Sequence, residues 1–526
     1  MKSKIYCSNK RNYNLLLFII IIALVFNDIP EILRLNFIAG IMAEKLSIYP
    51  IIVGIIYTIR NKPKFSLNRD KKHFFAYFSI FFTILLVSLF WGLFNYPYYD
   101  VILSGPIDQV EKLPYVYNKL YGLGIPVTKI ELLSIWMIAR PIKSFLILYL
   151  LTFCVSFMIY SWYRDNCDEG IHVLTNGVFV TLLIICLYGF LDMFYLAGNE
   201  YAKNVLIHLN PIVHSIKSGG TWWPPLLWNN QLRSIFAEPS YVGIYMAFGL
   251  PFLWMRLFLG KGKRPYLFFE WLINFICMFF LFLTKARTAT VLLFGILTLL
   301  ILLCLLYLPF KKKQMLGIIC CCGLAFLFSL GFLNYIAVKR QNEVSVVTAS
   351  GYLEDTVGSL SDIDKRSNRS RYSIMIADFR IGLDHPILGV GIGLRNAYIP
   401  EYLPDKEHLS NETKMWIKNQ KKKGIMKSGF PKLGEYTSRF AETGLIGVVL
   451  FLIPPIYLLW ELFNSVRRKS KVEADSTQEI FFMISLMGIL ASGIGDSLNI
   501  TYAYWIMLGL GYTILRKNRE EQHESA

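Results

Sequence analysis

Long apolar runs bounded by lysine and arginine recur from one end of the chain to the other, and each is near the roughly 20 residues with which a helix crosses a hydrocarbon core. In such surroundings only a helix or a closed barrel satisfies its own backbone, so runs of this length predict membrane helices. About twelve are expected by that criterion. They lie near 14–28, 36–59, 74–94, 143–162, 174–196 and 240–259 in the first half, and near 266–284, 288–308, 314–337, 444–464, 478–497 and 500–515 in the second.

The stretches between the runs set the orientation. RNKPKFSLNRDKK (60–72), KGKR (261–264), KKK (311–313), RRKSK (467–471) and RKNR (516–519) all fall on one side of the threaded chain, which the positive-inside rule makes cytoplasmic, together with both termini. Three long loops then face outward: 95–142, 197–239 and 338–443. The fold class predicted is an all-α polytopic membrane protein, divided into 1–337 (nine helices with short loops), an extracytoplasmic loop 338–443, and 444–526 (three helices and a cytoplasmic tail). The large loop is too long for a plain connector. Its segment RYSIMIADFRIGLDHP sets Ile374, Met375, Ala377, Phe379 and Ile381 among charges, as an amphipathic helix on the membrane surface would. WIKNQKKKGIMKSGFPK, further on, is either a solvated basic face or a contact for anionic headgroups or glycan.

Composition agrees with the pattern. The 526 residues are 55% hydrophobic and 17% charged, with a mean hydropathy of +0.45, which marks an integral membrane protein. The formal charge of +18 is accounted for by cytoplasmic anchoring, so nucleic acid is not an expected partner. MKSKIYCSNKRNYNLLLFIIIIALVF imitates a secretory signal, but NDIPEILR follows in place of a cleavage site, and the segment is expected to stay as the first span. Of the nine cysteines, Cys7 and Cys167 lie in short flanks and the others in apolar runs, so neither disulfides nor a metal framework is expected. No internal repeat relates the two halves.

Four stretches carry candidate chemistry. In RSIFAEPSYVG, Arg233 and Glu238 stand at the outer mouth of a helix whose first turn holds Pro239. The free backbone donors there favour an anion, and a nearby arginine would grip phosphate in a two-pronged hold. The alternative is that Glu238 caps the helix and pairs with Arg233. In LTKARTATVLL, Lys285 and Arg287 occupy an outer turn, against the orientation rule, and either bind an anion or snorkel to lipid phosphates. The third stretch runs from Arg371 and Arg380 through His385 and Pro386 to Gly389, Gly391 and Gly393. Its glycines permit close backbone approach or a tight turn, but they do not form a nucleotide loop. In GEYTSRFAETGLIG, Glu435, Arg439 and Glu442 precede a span, and the spacing of Arg439 and Glu442 suits an ion pair on one helical face.

In these four stretches the chain resembles the bacterial O-antigen polymerase and O-antigen ligase family. Arg233 followed by Glu238, Pro239 and Ser240 resembles a polymerase signature, and LTKART the family's arginine-bearing turn. Arg371 with Pro386 and LGVGIG resembles the large-loop signature, and Glu442 with Gly444 and Gly447 the closing motif. An arginine ten residues before a glycine, as in Arg371 with Gly382 and Arg380 with Gly391, is a further, looser likeness. Leu433 and Gly434 stand where ligase-like members commonly carry histidine and asparagine, which favours a Wzy-type polymerase. The resemblance implies a GT-C-like glycosyltransferase in the bacterial cytoplasmic membrane, acting on polyprenyl-pyrophosphate-linked oligosaccharide among membrane lipids, with a chain-length regulator protein as a partner. It further implies Glu238 as base and Arg233, Arg287 and Arg371 as stabilisers of the leaving diphosphate. Lys285, Arg380, His385, Gly389, Gly391 and Glu442 are the expected substrate-binding residues. No metal or other cofactor is expected, because no outer cluster has ligand spacing. The rival readings are an O-antigen ligase and a flippase or secondary transporter. Transport would need inward-facing charges within the spans, for which Glu44, Lys45, Arg256 and Glu270 are the candidates.

Overall fold

The computed structural model describes residues 2–35, 43–61, 69–215, 231–260, 264–339, 347–360, 366–404, 409–498 and 501–525, and every regular element within them is helical. In chain order these are α1 (Lys2–Ala23), α2 (Ile48–Asn61), α3 (Arg69–Phe94), α4 (Tyr99–Leu103), α5 (Leu113–Gly122), α6 (Lys129–Tyr163), α7 (Cys167–Leu196), α8 (Glu200–Val213), α9 (Pro239–Leu259) and α10 (Arg264–Leu283). They continue as α11 (Arg287–Tyr307), α12 (Lys312–Lys339), α13 (Ala349–Thr356), α14 (Arg366–Asp384), α15 (Arg395–Tyr402), α16 (Asn411–Lys423), α17 (Glu435–Lys471), α18 (Thr477–Ser492) and α19 (Ala503–Ser525).

Among the described residues 8 helices are long and apolar enough to cross a membrane: α3, α6, α7, α9, α10, α11, α12 and α17. The chain is therefore a polytopic membrane protein. The remaining four expected spans are reshaped. The span near 36–59 lies outside the described residues over 36–42 and contains the apolar helix α2, that near 478–497 contains the apolar helix α18, and those near 14–28 and 500–515 fall within or beside α1 and α19. Pro50 sits in the first turn of α2, where a missing amide is harmless, and Glu44 and Lys45 precede that helix instead of lying inside it.

The bundle is organised on α9, which is buried almost throughout its length. Small residues let its neighbours close in. A Cβ at Gly243 would strike the backbone of Ala289 on α11, and one at Gly488 on α18 would meet the carbonyl of Ala247.

The two ends of the bundle differ in kind. One end is laced by ion pairs: Lys10 with Glu169 at 2.5 Å, Lys517 with Asp168 at 2.7 Å, Lys311 with Asp475 at 3.1 Å, and Lys469 with Glu479 at 2.5 Å. The basic clusters at 311–313, 467–471 and 516–519 gather there, whereas 62–68 and 261–263 lie outside the described residues. At the other end the 95–142 segment meets the large loop. Gly92 lies against Val390, Gln109 against Gly424, and Arg140 donates to the carbonyl of Met426.

Two features of the large loop follow from its sequence. First, α17 is broken at Gly444 (φ +63°, ψ −171°), the residue at which the sequence places the start of a span. The break frees backbone groups, and the segment after α14 takes them up. Leu445 donates to Pro386 O at 2.7 Å, Val390 to Ala441 O at 2.9 Å, and Gly391 to Glu442 O at 2.9 Å. Gly389 (φ +68°) allows this approach, since a Cβ there would enter the backbone of Glu442 and Thr443. Second, α14 packs one face into the protein. Its residues Ile374, Ala377, Asp378 and Ile381 are fully buried against α15 and the start of α17, leaving Phe379 and Leu383 exposed. Asp378 there binds Arg395 at 2.6 Å and accepts from Ser438 at 2.8 Å. A charge that sequence assigns to the polar face thus pins the helix inside a small folded layer.

Candidate functional site

The mouths of α9 and α11 adjoin at the Gly243–Ala289 contact, and α14 reaches α11 through Asn368. Glu238 occupies the N-cap position of α9 in extended geometry (φ −131°, ψ 148°) but makes no side-chain capping bond. Its carboxylate is approached instead by the Ser240 hydroxyl at 3.5 Å. Nor is Arg233 its partner. Arg233 is 2% exposed, and its amide and that of Ser234 donate to Asp192 on α7 at 3.1 and 2.7 Å, while its guanidinium reaches Ala237 O at 3.3 Å. Burial, aided by the Arg233 charge, pulls the nearby His214 down to about 3. Arg233 therefore belongs to a buried layer that fastens the segment leading into α9.

Arg287, at the first position of α11, donates to Asn368 Oδ1 on α14. One helical turn along the same helix, Arg371 donates to Gly495 O at 2.5 Å, and its charge bears on both Glu238 and Asp496. Burial pushes the Glu238 carboxyl above its ordinary value; Arg371 and Ser240 oppose this and Glu412 adds to it. Burial likewise pushes Asp496 up to about 6, against Arg371, the Ser497 amide and Lys45, with Glu238 reinforcing the rise. Lys45 is pulled down to about 8 by its own burial, against the pull of Glu44, Asp496 and Glu435, and its Nζ lies 5.6 Å from the Tyr502 ring centroid. Nearby Lys285 adopts a left-handed backbone (φ +49°), with burial lowering its ammonium pKa and Asp355 opposing.

Glu238 and Asp496 thus share the field of Arg371, Lys45 lies near Asp496, and Arg287 reaches α14 one turn from Arg371. The signal for Asp496 is a lone carboxylate in the apolar turn ASGIGDSLN, where nothing about topology requires a charge.

A second polar group forms under the break in α17 and meets the first through Glu435, whose amide donates to Gly493 O at 2.8 Å and Asp496 O at 3.1 Å. Arg439 does not pair with Glu442 as their spacing suggests; it binds Glu435 one turn back, with its guanidinium over the Phe451 ring. Glu442 instead accepts from Lys432 at 2.6 Å and from the Gly393 amide at 3.2 Å. These four charged side chains line a cavity of about 50 Å³ together with apolar side chains of α3 and α6, among them Phe81, Leu85, Phe145 and Phe153. Other expected residues lie elsewhere. Arg380 is exposed and reaches Tyr402 O at 3.4 Å, and His385 packs edge-on to Tyr398 at 5.9 Å. Both sit toward the far end of α14, His385 about 20 Å along the axis from Arg371 at 1.5 Å per residue. Gly389 and Gly391 serve the backbone junction described above.

Two of the four charges named for a transport path bind each other. Arg256 binds Glu270 at 2.7 Å and Asn176 at 2.7 Å, with its guanidinium 4.7 Å from the Phe179 ring centroid.

Residues 272–418 match the family model described as O-Antigen ligase. No curated protein matches the chain. The matched segment holds Lys285, Arg287, Arg371, Arg380, His385, Gly389 and Gly391, while Arg233, Glu238, Glu442 and Asp496 lie outside it. Over residues 272–418, a little more than a quarter of its length, the chain is thus similar to the O-antigen ligase family (Wzy_C).

Proposed function

We propose that the protein polymerises lipid-linked repeat units on the outer side of the bacterial cytoplasmic membrane, with both termini inside. The growing glycan is the donor, held on polyprenyl pyrophosphate, and a single lipid-linked repeat is the acceptor. The acceptor hydroxyl oxygen forms a bond to the donor's anomeric carbon as the bond from that carbon to the diphosphate oxygen breaks. The hydroxyl proton passes to a carboxylate, and the electron pair leaves with the diphosphate.

Each group in the first cluster has a task in that step. Arg287 and Arg371 face the charge that grows on the departing diphosphate, in a setting where few waters screen them. Glu238 takes the proton, and Asp496 shares the field of Arg371 with it. Two buried carboxyls around one guanidinium cannot both ionise as readily as in water, so the pair retains basicity near neutral pH. That arrangement, with Asp496 pushed up to about 6, is the observation that carries the proposal. Leu433 and Gly434, in place of histidine and asparagine, favour polymerase over ligase.

The test is Glu238→Gln in vesicles reconstituted with the native lipid-linked repeat. A fall of roughly 10²-fold or more in transfer is expected for loss of a general base. An unchanged ladder of long chains would remove Glu238 from the reaction, and loss of transfer to a core-lipid acceptor, with the ladder kept, would turn the reading to a ligase.

A further inference from the structure

Polymerisation brings two lipid-linked molecules to one protein, and the cluster around Arg371 accounts for only one diphosphate. We infer that the cavity beneath the break in α17 binds the polyisoprenyl phosphate end of the second lipid-linked substrate; this rests on the polymerase reading above.

The cavity has the polarity of such a molecule. Its roof is Lys432, Glu435, Arg439 and Glu442, and its walls run past Leu85 and Phe81 on α3 and Phe145, Tyr149 and Phe153 on α6 to Trp505 on α19. Phe81 lies about 20 Å along α3 from its outer end, at 1.5 Å per residue, so the apolar floor is at the depth of lipid tails and the charged roof at the depth of headgroups. The outer flank of α3 carries the exposed residues Ile80, Val87, Phe90 and Trp91, the kind of surface that faces lipid.

The roof has phosphate donors to spare although its formal charges cancel. Both carboxylates are held by groups that are not cations as well as by their ion pairs. Glu442 takes the Gly393 amide, and Glu435 takes the Leu498 amide at 3.1 Å and the Ser497 hydroxyl at 3.2 Å. Arg439 engages Glu435 through Nη2, and its buried Nε has no hydrogen-bond partner. A guanidinium has five N–H donors and an ammonium three, so an entering phosphate finds unused hydrogens on Arg439 and Lys432 without displacing either carboxylate from the backbone. The path from this roof to the chemistry is short: Glu435 and Ser497 border the cavity and adjoin Asp496. An acceptor anchored here would present its sugars toward the Glu238 and Asp496 pair.

The experiment is photolabelling of the full-length protein in phosphatidylcholine nanodiscs with a polyisoprenyl monophosphate carrying a diazirine on an early isoprene unit. Labelled peptides are expected to map to α3 around 81–85 and α6 around 145–153. Leu85→Trp, which fills the cavity, and Arg439→Gln, which removes the unpartnered donor, should each cut labelling at least tenfold, with Arg439→Lys intermediate. Labelling of wild-type protein elsewhere overturns the inference whatever the variants do. So does equal competition by phosphatidylglycerol, which would mark an ordinary phospholipid site, or displacement by free oligosaccharide, which would mark a sugar pocket. Labelling involves no transfer, so Glu238→Gln should leave it intact. A Glu238→Gln protein that still polymerises would sink the proposed base and leave the cavity assignment standing, whereas unmapped labelling with loss of transfer in Glu238→Gln would do the reverse.

Discussion

Replacing Asp496 by asparagine separates the chemistry of the site from its stability. Asp496 is 8% exposed, and its carboxyl is pushed from 3.8 up to about 6, chiefly by burial. At 1.36 kcal/mol per tenfold change, its ionised form is disfavoured by about 3 kcal/mol in the folded protein relative to water. The sign follows from proton binding. The folded value lies above the unfolded one, so across pH 4 to 6 the native state holds the proton more tightly, and stability falls as pH rises through that window and stays lower above it. Asparagine carries no charge, and its carbonyl can still accept from the Ser497 amide, so the variant escapes the fall. Thermal unfolding of the solubilised protein should therefore show equal midpoints for wild type and Asp496→Asn at pH 4. At pH 8 the variant should be higher, by up to about 3 kcal/mol of added stability. Glycan transfer at pH 7 should nevertheless drop at least roughly tenfold, since the lost carboxylate tunes and supports the base. A variant that is equally or less stable at pH 8 would refute the account of a carboxylate held ionised against its surroundings.

Other substitutions probe separate links. Arg371→Lys keeps the charge but loses the planar fork that reaches Gly495 O while facing both carboxylates, so transfer should fall by roughly 10²-fold with surface expression unchanged, measured in the same vesicles. Arg395→Met strands the fully buried Asp378 and should cost about 3–5 kcal/mol, while Arg395→Met with Asp378→Leu should recover most of it; thermal midpoints distinguish the two. Gly444→Ala places a Cβ against the Ile387 carbonyl at positive φ, a backbone cost of about 1–2 kcal/mol before the clash is counted, and should lower the midpoint and the yield of folded protein.

The membrane helices were legible because hydrocarbon imposes a length and an apolar composition that sequence displays directly. Glu238, Arg287 and Arg371 were legible for the opposite reason: each is a charge that neither topology nor core packing requires. Arg233 looked the same in sequence, yet its backbone amide is held by the buried Asp192 in the last turns of α7, and a long-range contact of this sort leaves no trace in spacing. Asp496 escaped notice because it is a single carboxylate at a span end with no motif around it, and only the fold brings it to Arg371 and Lys45. The ion pair expected between Arg439 and Glu442 failed because helical spacing assumes an unbroken helix with no competing partner. Glu435 is one turn from Arg439, and the glycine segment offers Glu442 a backbone amide and brings Lys432 within reach.

The glycines at 389 and 391 gain a different meaning from the break at Gly444. A helix that stops at the entrance to a bilayer leaves amides and carbonyls without partners, and each such group left bare in hydrocarbon costs several kcal/mol. Here the segment 386–391 supplies those partners, so the roof formed by 435–443 is fixed by backbone bonds to the chain that follows α14. Ser88 strengthens the joint, donating to Leu388 O at 2.6 Å and lying 3.1 Å from Glu442 O. The consequence reaches the chemistry. Glu442, which holds Lys432 over the cavity, takes its position from its own carbonyl and that of Ala441, which accept from the Gly391 and Val390 amides, and from the Leu445 amide, which donates to Pro386 O. Enlarging Gly389 would thus move a cation at the cavity roof without Gly389 touching substrate, which is why these glycines act as positioning residues and not as a surface for the glycan.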